Sequence, residues 1–283
     1  MHRIQKGVDF ILFSNLFVSI CAAALATETY LLVQRPINFW YIFFVFFSTL
    51  FLYNFQRVLL SSVYVRSSAS ARHKWILERK KMLIVFCILS AVGIAVCLAF
   101  IGLRLLQLMI PLGLVSVLYF LPGIHLRKVP AVKALMVALV WSIVTVYAPV
   151  LLFGNIEISA TLIYLIAERC FFVLALCILF NVRDITHDRL SEVRTIPSLY
   201  GIRAGKNSAL ACLLIAGLFS FLLYQLEVYP LNDFFAVLLS FMVSAALILK
   251  CQENSGEYFY LFGIDGLMGL QFLLVLLGNL VRP

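Results

Sequence analysis

Two carboxylates and a carboxamide lie close together in the segment NVRDITHDRLSEVRTIPSLYG, residues 181–201. Asp184 and Asp188 are four residues apart, so a continuous helix would point both the same way, and Asn181 lies one turn earlier on that face. Magnesium is usually held by one or two carboxylates together with phosphate oxygens, and arginines such as Arg189 and Arg194 can bind the remaining oxygens. The spacing indicates a magnesium–phosphate site, with an ordinary solvated helix end of mixed charge as the alternative.

The chain that carries this segment is too apolar for a water-soluble fold. Of its 283 residues, 64% are hydrophobic and 12% are charged, and the mean hydropathy is +1.05. A soluble domain carries about twice that charged fraction, so much of the apolar surface must face lipid or other buried helices. Nine runs are long enough to cross a bilayer: 9–33, 37–60, 82–103, 105–122, 131–153, 158–182, 208–226, 231–249 and 257–281. We therefore predict an all-α polytopic membrane protein with nine transmembrane helices, forming one integral membrane domain over residues 1–283.

The positive charges predict which ends of these runs face the cytoplasm. With the N-terminus inside, only Arg35, Arg104 and Arg282 of the 22 lysines and arginines fall on outer segments, and most of the others fall on inner ones. The positive-inside rule then places the N-terminus and the two long loops, roughly 61–81 and 183–207, in the cytoplasm of a bacterial inner membrane. The net charge of +9 is explained by loops that face anionic lipids and a phosphate-bearing substrate. Nucleic acid is excluded as a partner because the chain has no soluble basic domain.

Two segments resemble a known family. The Asn-x-x-Asp-x-x-x-Asp pattern of residues 181–188, with the turn ending at Gly201, resembles the second aspartate-rich motif of the UbiA superfamily of intramembrane prenyltransferases. The segment LYFLPGIHLRKVPAVK, residues 118–133, is similar to the family's Tyr-Pro…Lys-Arg loop after the fourth helix. The resemblance implies a bundle of nine helices with a lateral, lipid-facing cavity. It also implies aspartate-rich motifs at the cytoplasmic ends of the second and sixth helices, where the span count puts Asn54 and Asp184.

The first motif of the family is degenerate in this chain. Its form is Asn-x-x-x-Asp-x-x-x-Asp, but a sequence aligned on Asn54 has Val58 and Ser62 where the aspartates belong. Arg57 could bind diphosphate directly as a fixed cation. The resemblance then implies Asp184 and Asp188 as catalytic metal ligands assisted by Asn181 and Asn54, the phosphate-binding cations Arg57, Lys128, Arg189 and Arg194, and Tyr119 in the cavity wall.

The implied reaction is transfer of an isoprenoid group from a prenyl diphosphate to a lipophilic acceptor, an aromatic compound or quinone precursor, with Mg2+ as cofactor. Cations neutralise the leaving diphosphate while an allylic cation develops, and a sheltered cavity protects that cation from water. The missing aspartates favour an alternative with changed chemistry, either terpene cyclisation or isoprenoid binding without turnover.

Charged residues inside the predicted spans allow a third alternative, a transporter. Glu28, Glu168, Arg169 and Asp265 lie within apolar runs. Because neighbours on a helix point about 100° apart, we expect Glu168 and Arg169 to pair with other helices rather than with each other. The aspartate pair lies at the membrane interface rather than the midplane, which argues against a transporter.

Overall fold

Helices make up nearly all of the described part of the chain, and no strand occurs in it. The computed structural model describes residues 2–59, 71–120, 132–153, 159–190 and 193–281. The helices are α1 (His2–Phe13), α2 (Leu16–Leu32), α3 (Phe39–Leu59), α4 (Ala71–Glu78), α5 (Lys80–Ile101), α6 (Leu103–Phe120), α7 (Val132–Ser142), α8 (Ala148–Leu151), α9 (Ala160–Arg183), α10 (Ile185–Leu190), α11 (Ile196–Gln225), α12 (Leu231–Lys250) and α13 (Asp265–Leu280). Two π-helical segments, Ile143–Tyr147 and Phe259–Ile264, join α7 to α8 and lead into α13.

The helices confirm the predicted all-α membrane fold. Within the described ranges, seven helical segments are long and apolar enough to cross a membrane, and the bent pair α1–α2 makes eight if it is counted as one span. The predicted run 105–122 falls on α6, where the apolar stretch Leu105–Val117 is shorter than a full span. The count of nine therefore stays a prediction.

The first predicted span, 9–33, is two helices that meet at 60°. At the break, Asn15 has a left-handed φ of 63°, which asparagine tolerates better than most residues. The Nδ2 of Asn15 donates to Oδ1 of Asn54 at 2.9 Å, and Nδ2 of Asn54 donates to the main-chain carbonyl of Ser14 at 3.0 Å. A bend in an apolar environment leaves main-chain groups without helical partners, and these bonds satisfy one of them. Asn54 thus ties the end of α3 to the α1–α2 break.

The helix α9 lies at the centre of the bundle. It packs against α11 and α7, while α13 packs between α2 and α12, and α3 packs between α2 and α5. In the most apolar window of α9, 61% of residues are buried, against 17% for α5. Phe172 and Leu179 of α9 are fully buried, whereas Ile88, Leu89 and Val92 of α5 are more than half exposed. The core is therefore built around α9, and α5 presents an apolar face to lipid.

A buried ion pair crosses the middle of the bundle. The Nη2 of Arg169 on α9 lies 2.8 Å from Oε1 of Glu28 on α2, and both side chains are almost completely buried. The predicted pairing of Arg169 with another helix is confirmed. Glu168 is also fully buried, close to Arg169, Tyr229 and Gln271.

Candidate functional site at the break between α9 and α10

The predicted aspartate pair lies where α9 gives way to α10. Asp184 follows α9 with a ψ of 7°, which interrupts the helix, and α10 begins at the next residue. The main-chain N–H of Asp188 nevertheless donates to the carbonyl of Asp184 at 2.7 Å, so the four-residue spacing of a helix is kept across the break. The two carboxylates therefore point to the same side, as the sequence predicted.

A single lysine lies between these carboxylates. The Nζ of Lys133 is 2.9 Å from Oδ1 and 3.0 Å from Oδ2 of Asp188, and 3.7 Å from Oδ2 of Asp184. Lys133 is at the start of α7, which packs against α9. Asp188 is nearly fully buried, whereas the side chain of Asp184 is 31% exposed. Sequence reasoning placed Lys133 at the end of the family-like segment 118–133 but gave it no role, and that position was the available signal.

The chain after α10 folds back onto Asp188. Thr195 caps α11, since its hydroxyl accepts from the N–H of Ser198 at 3.2 Å while the Ser198 hydroxyl accepts from the N–H of Thr195 at 2.8 Å. The same Thr195 hydroxyl donates to Oδ2 of Asp188 at 3.4 Å. Gly201, six residues after Thr195, breaks α11 with a φ of 85°, a backbone conformation that glycine adopts without strain. The reciprocal cap thus holds a hydroxyl against the buried carboxylate.

A second group of charges continues from Asp184 towards α4 and the start of the last span. The Nε of Arg183 is 2.8 Å from Oδ1 of Asp184, and its Nη1 is 4.0 Å from Oε2 of Glu257. Arg72 lies 3.3 Å from that same oxygen of Glu257. The guanidinium of Arg183 also lies 5.0 Å and 5.6 Å from the ring centres of Phe180 and Tyr260. Arg183 is therefore a fixed cation beside the aspartate pair, and sequence reasoning missed it although it belongs to the motif.

The pKa values of the two aspartates are shifted in opposite directions. Burial tends to raise the pKa of Asp184, but Arg183, Lys133 and His187 outweigh it and hold that pKa below the usual value. Burial also raises the pKa of Asp188, and here Lys133 offsets it only in part, so that the pKa stays above the usual value. Asp184 is thus the carboxylate with the stronger preference for the ionised form.

The other residues predicted around the second motif are more dispersed. Asn181 is buried in the last turn of α9, three residues before Asp184. Arg189 donates from Nε to the carbonyl of Ser198 at 3.2 Å, and Arg194 is exposed to solvent. Lys128 lies outside the described residues, as does the side chain of Tyr119.

The residues of the degenerate first motif mostly serve the fold. The carboxamide of Asn54 is engaged with the α1–α2 break, which gives it a structural role, and its predicted metal role stays a prediction. Val58 packs against an apolar cluster that includes Phe13 and Trp75. Arg57, in the last turn of α3, lies within electrostatic reach of the partly buried Asp265. Ser62, the other position of a missing aspartate, is not among the described residues.

The donor set fits one magnesium ion rather than two. Among the described residues, no group of three or more His, Cys, Asp or Glu side chains could hold a metal ion alone. Asp184 and Asp188, with Asn181 one turn away, supply the number of protein oxygens that Mg2+ takes when substrate phosphate completes its coordination. The end of α3 adds no carboxylate, because valine stands at position 58 where the family motif has aspartate.

Known proteins show the same fold. A UbiA homologue from Archaeoglobus fulgidus bound to GPP and Mg2+ has a TM-score of 0.68 at 11% identity, covering 96% of this chain and 100% of that one. The A. fulgidus UbiA homologue bound to DMAPP and Mg2+ has a TM-score of 0.64 at 12% identity, with coverages of 97% and 100%. An apo UbiA homologue from Aeropyrum pernix K1 has a TM-score of 0.60 at 15% identity, with coverages of 95% and 96%. At these identities the likeness shows the fold alone.

The sequence itself matches a family model. No curated protein matches the chain. The model of the UbiA prenyltransferase family matches residues 74–265, a range that includes Lys133, Arg183, both aspartates and Asp265. This integral membrane chain therefore belongs to the UbiA prenyltransferase family.

Proposed function

We propose that this protein transfers an isoprenoid group from a prenyl diphosphate to a lipophilic acceptor in the membrane. The observation that carries the proposal is the cluster at the inner end of α9, where two carboxylates and the cations Lys133 and Arg183 meet at the end of an apolar bundle. Such a cluster suits a ligand with a diphosphate head and an apolar tail. Family membership and the A. fulgidus homologue bound to GPP or DMAPP support the same class of substrate.

Each group of the cluster has a role in this proposal. Asp184 and Asp188, assisted by Asn181, would hold one Mg2+, and when bound the ion neutralises charge on the departing diphosphate. Arg183 at the end of α9 and Arg57 at the end of α3 both lie within electrostatic reach of Asp265, and they add fixed positive charge there. Lys128, Arg189 and Arg194 are further candidates for phosphate contacts, and Tyr119 for the cavity wall. The apolar helices would surround the isoprenoid tail and exclude water from the allylic cation.

The proposed orientation follows from the same cluster. A charged substrate head would approach from the cytoplasm, so α9 would end at the cytoplasmic face of a bacterial inner membrane, with the N-terminus on that side. Cysteine labelling in membranes tests this orientation. Positions 68 and 203 should react from the cytoplasmic side and positions 155 and 226 from the other side; Arg203 and Leu226 are exposed. Labelling of 68 and 203 from opposite sides would contradict both the orientation and the enzyme.

A second candidate is a diverged relative with changed chemistry, which cyclises an isoprenoid or binds it without turnover. The specific observation is at the first motif, where Asn54 is used to close a helix break and Val58 faces an apolar cluster. With one metal instead of two, ionisation of the donor would be slower than in a two-metal site.

The decisive experiment incubates membranes containing the protein with labelled prenyl diphosphates of several chain lengths, Mg2+ and a lipid extract as acceptor source. Released diphosphate with a prenylated product supports transfer, a hydrocarbon product supports cyclisation, and binding with no product supports a non-catalytic role. Asp184→Asn and Asp188→Asn should each remove most Mg2+-dependent binding. Asp9→Asn is the matched control, since Asp9 lies in α1 and contacts Tyr258 rather than the cluster. Full retention of binding in both cluster variants would contradict the proposal.

A further inference from the structure

The ammonium group of Lys133 occupies the space between the two metal-binding candidates. It contacts both oxygens of Asp188, at 2.9 and 3.0 Å, and reaches Asp184 at 3.7 Å. Asp188 is nearly fully buried, and its only other described side-chain partner is the hydroxyl of Thr195. Both oxygens of the buried carboxylate are therefore already used by one internal cation.

A magnesium ion cannot bind this pair while Lys133 stays in place. Magnesium coordinates oxygen at about 2.0–2.1 Å in a strict octahedron, so an ion shared by both carboxylates needs the space that Nζ fills. Two positive charges a few ångströms apart in a partly buried site also repel each other strongly. Binding of the metal and the ion pairs of Lys133 with the aspartates are thus mutually exclusive.

The displaced ammonium needs another anion, because the side chain of Lys133 is only 20% exposed and a largely buried charge without a partner is costly. Arg183 already binds Asp184 and lies close to Glu257. A lysine has three donors on a flexible stem, so a short movement carries Nζ from a carboxylate to a neighbouring oxygen. The anion that arrives with the metal is the diphosphate of the substrate.

We propose that Lys133 competes with Mg2+ for Asp184 and Asp188, and that its ammonium group would move to the diphosphate when metal and substrate bind. The proposal rests on the proposed function, since it assumes that a prenyl diphosphate binds here. It assigns Lys133 two states, one on the aspartates in the free protein and one on phosphate in the complex. Metal and diphosphate then strengthen the binding of each other, because the metal would displace Lys133 from the aspartates and the diphosphate would supply its new partner.

The test measures metal and ligand affinity separately, without turnover. Mn2+ serves as a paramagnetic substitute for Mg2+, and geranyl S-thiolodiphosphate as an unreactive ligand. Without ligand, Lys133→Met should bind Mn2+ about tenfold to a hundredfold more tightly than the wild type, the range expected for loss of a charge-assisted contact. At saturating Mn2+, the same variant should bind the thiolodiphosphate at least about tenfold more weakly.

Three further variants make the result specific. Lys133→Arg keeps the charge and should retain the weak Mn2+ binding of the wild type, and Lys133→Gln serves if the methionine variant does not fold. Lys206→Met is the matched control, because the ammonium of Lys206 binds the main-chain carbonyls of Leu249 and Cys251 instead of a carboxylate. It should change neither affinity.

Unchanged or weaker Mn2+ binding in folded Lys133→Met and Lys133→Gln overturns the competition. Tighter Mn2+ binding with an unchanged affinity for the thiolodiphosphate overturns the transfer to phosphate. If the wild type binds no thiolodiphosphate even at saturating Mn2+, the proposed function fails instead, and that result is distinct from the other two.

Discussion

Replacement of Arg169 by methionine should destabilise the protein severely. The guanidinium is 2.8 Å from Glu28, and both groups are almost completely buried between α9 and α2. Methionine fills a similar length but removes the positive charge near two buried carboxylates, Glu28 and Glu168. Breaking a buried ion pair on one side typically costs about 3–5 kcal/mol, and we expect the Arg169→Met variant to lose this much free energy of unfolding.

Equilibrium unfolding in mixed detergent micelles, followed by circular dichroism, measures this loss. The double variant Glu28→Gln/Arg169→Met should be more stable than Arg169→Met alone, because it removes one of the two uncompensated carboxylates. Arg203→Met is the control, since Arg203 is an exposed arginine in the N-terminal part of α11. A loss below about 1 kcal/mol in Arg169→Met would refute the reasoning, because that is the size expected of an exposed ion pair.

Substitutions at three other positions test the surroundings of the site. Val58→Asp should lower the free energy of unfolding by about 1–3 kcal/mol, because the new carboxylate would enter the apolar cluster. For the same reason it should leave the affinity for Mn2+ unchanged, and tighter Mn2+ binding would contradict this. Thr195→Ala should cost about 1 kcal/mol through loss of the cap on α11, while Thr195→Ser should be close to wild type in the same unfolding assay. Burial and, to a smaller extent, the nearby Arg57 lower the pKa of His73 in the folded protein below its usual value of 6.5. As the pH drops through 6.5, the unfolded chain is therefore protonated at this histidine before the folded protein is, and the free energy of unfolding falls. His73→Gln should make that decline shallower in melting curves recorded from about pH 8 to pH 5, and an unchanged slope would exclude His73 as its source.

The features that follow from local sequence were predictable. Apolar runs alone gave the membrane fold and the approximate bounds of most spans, because a helix in lipid satisfies its own main chain. The four-residue spacing of Asp184 and Asp188 gave their common direction, and this survives the break between α9 and α10. Arg169 was expected to find a partner on another helix because a charge so deep in the membrane needs one.

The features that depend on helix packing were not predictable. Lys133 reaches Asp188 across 55 residues of sequence, and the contact exists only because α7 packs beside α9. Sequence reasoning therefore treated Lys133 as one of many inner-face charges. The bend at Asn15 was missed for a similar reason, since residues 9–33 read as one apolar run and the groups that close the bend lie on α3.

The link between Asn15 and Asn54 has a consequence for the order in which the chain is assembled. During synthesis, the partner of Asn15 emerges 39 residues after it, at the far end of α3. Until then, the carbonyl of Ser14 and the Asn15 carboxamide lack the partners that Asn54 later provides, in a medium where each unsatisfied group costs several kcal/mol. The bend is therefore closed only after α2 and α3 have both entered the membrane. The N-terminal segment therefore cannot reach its final position before the helix end that carries the remnant of the first motif is in place.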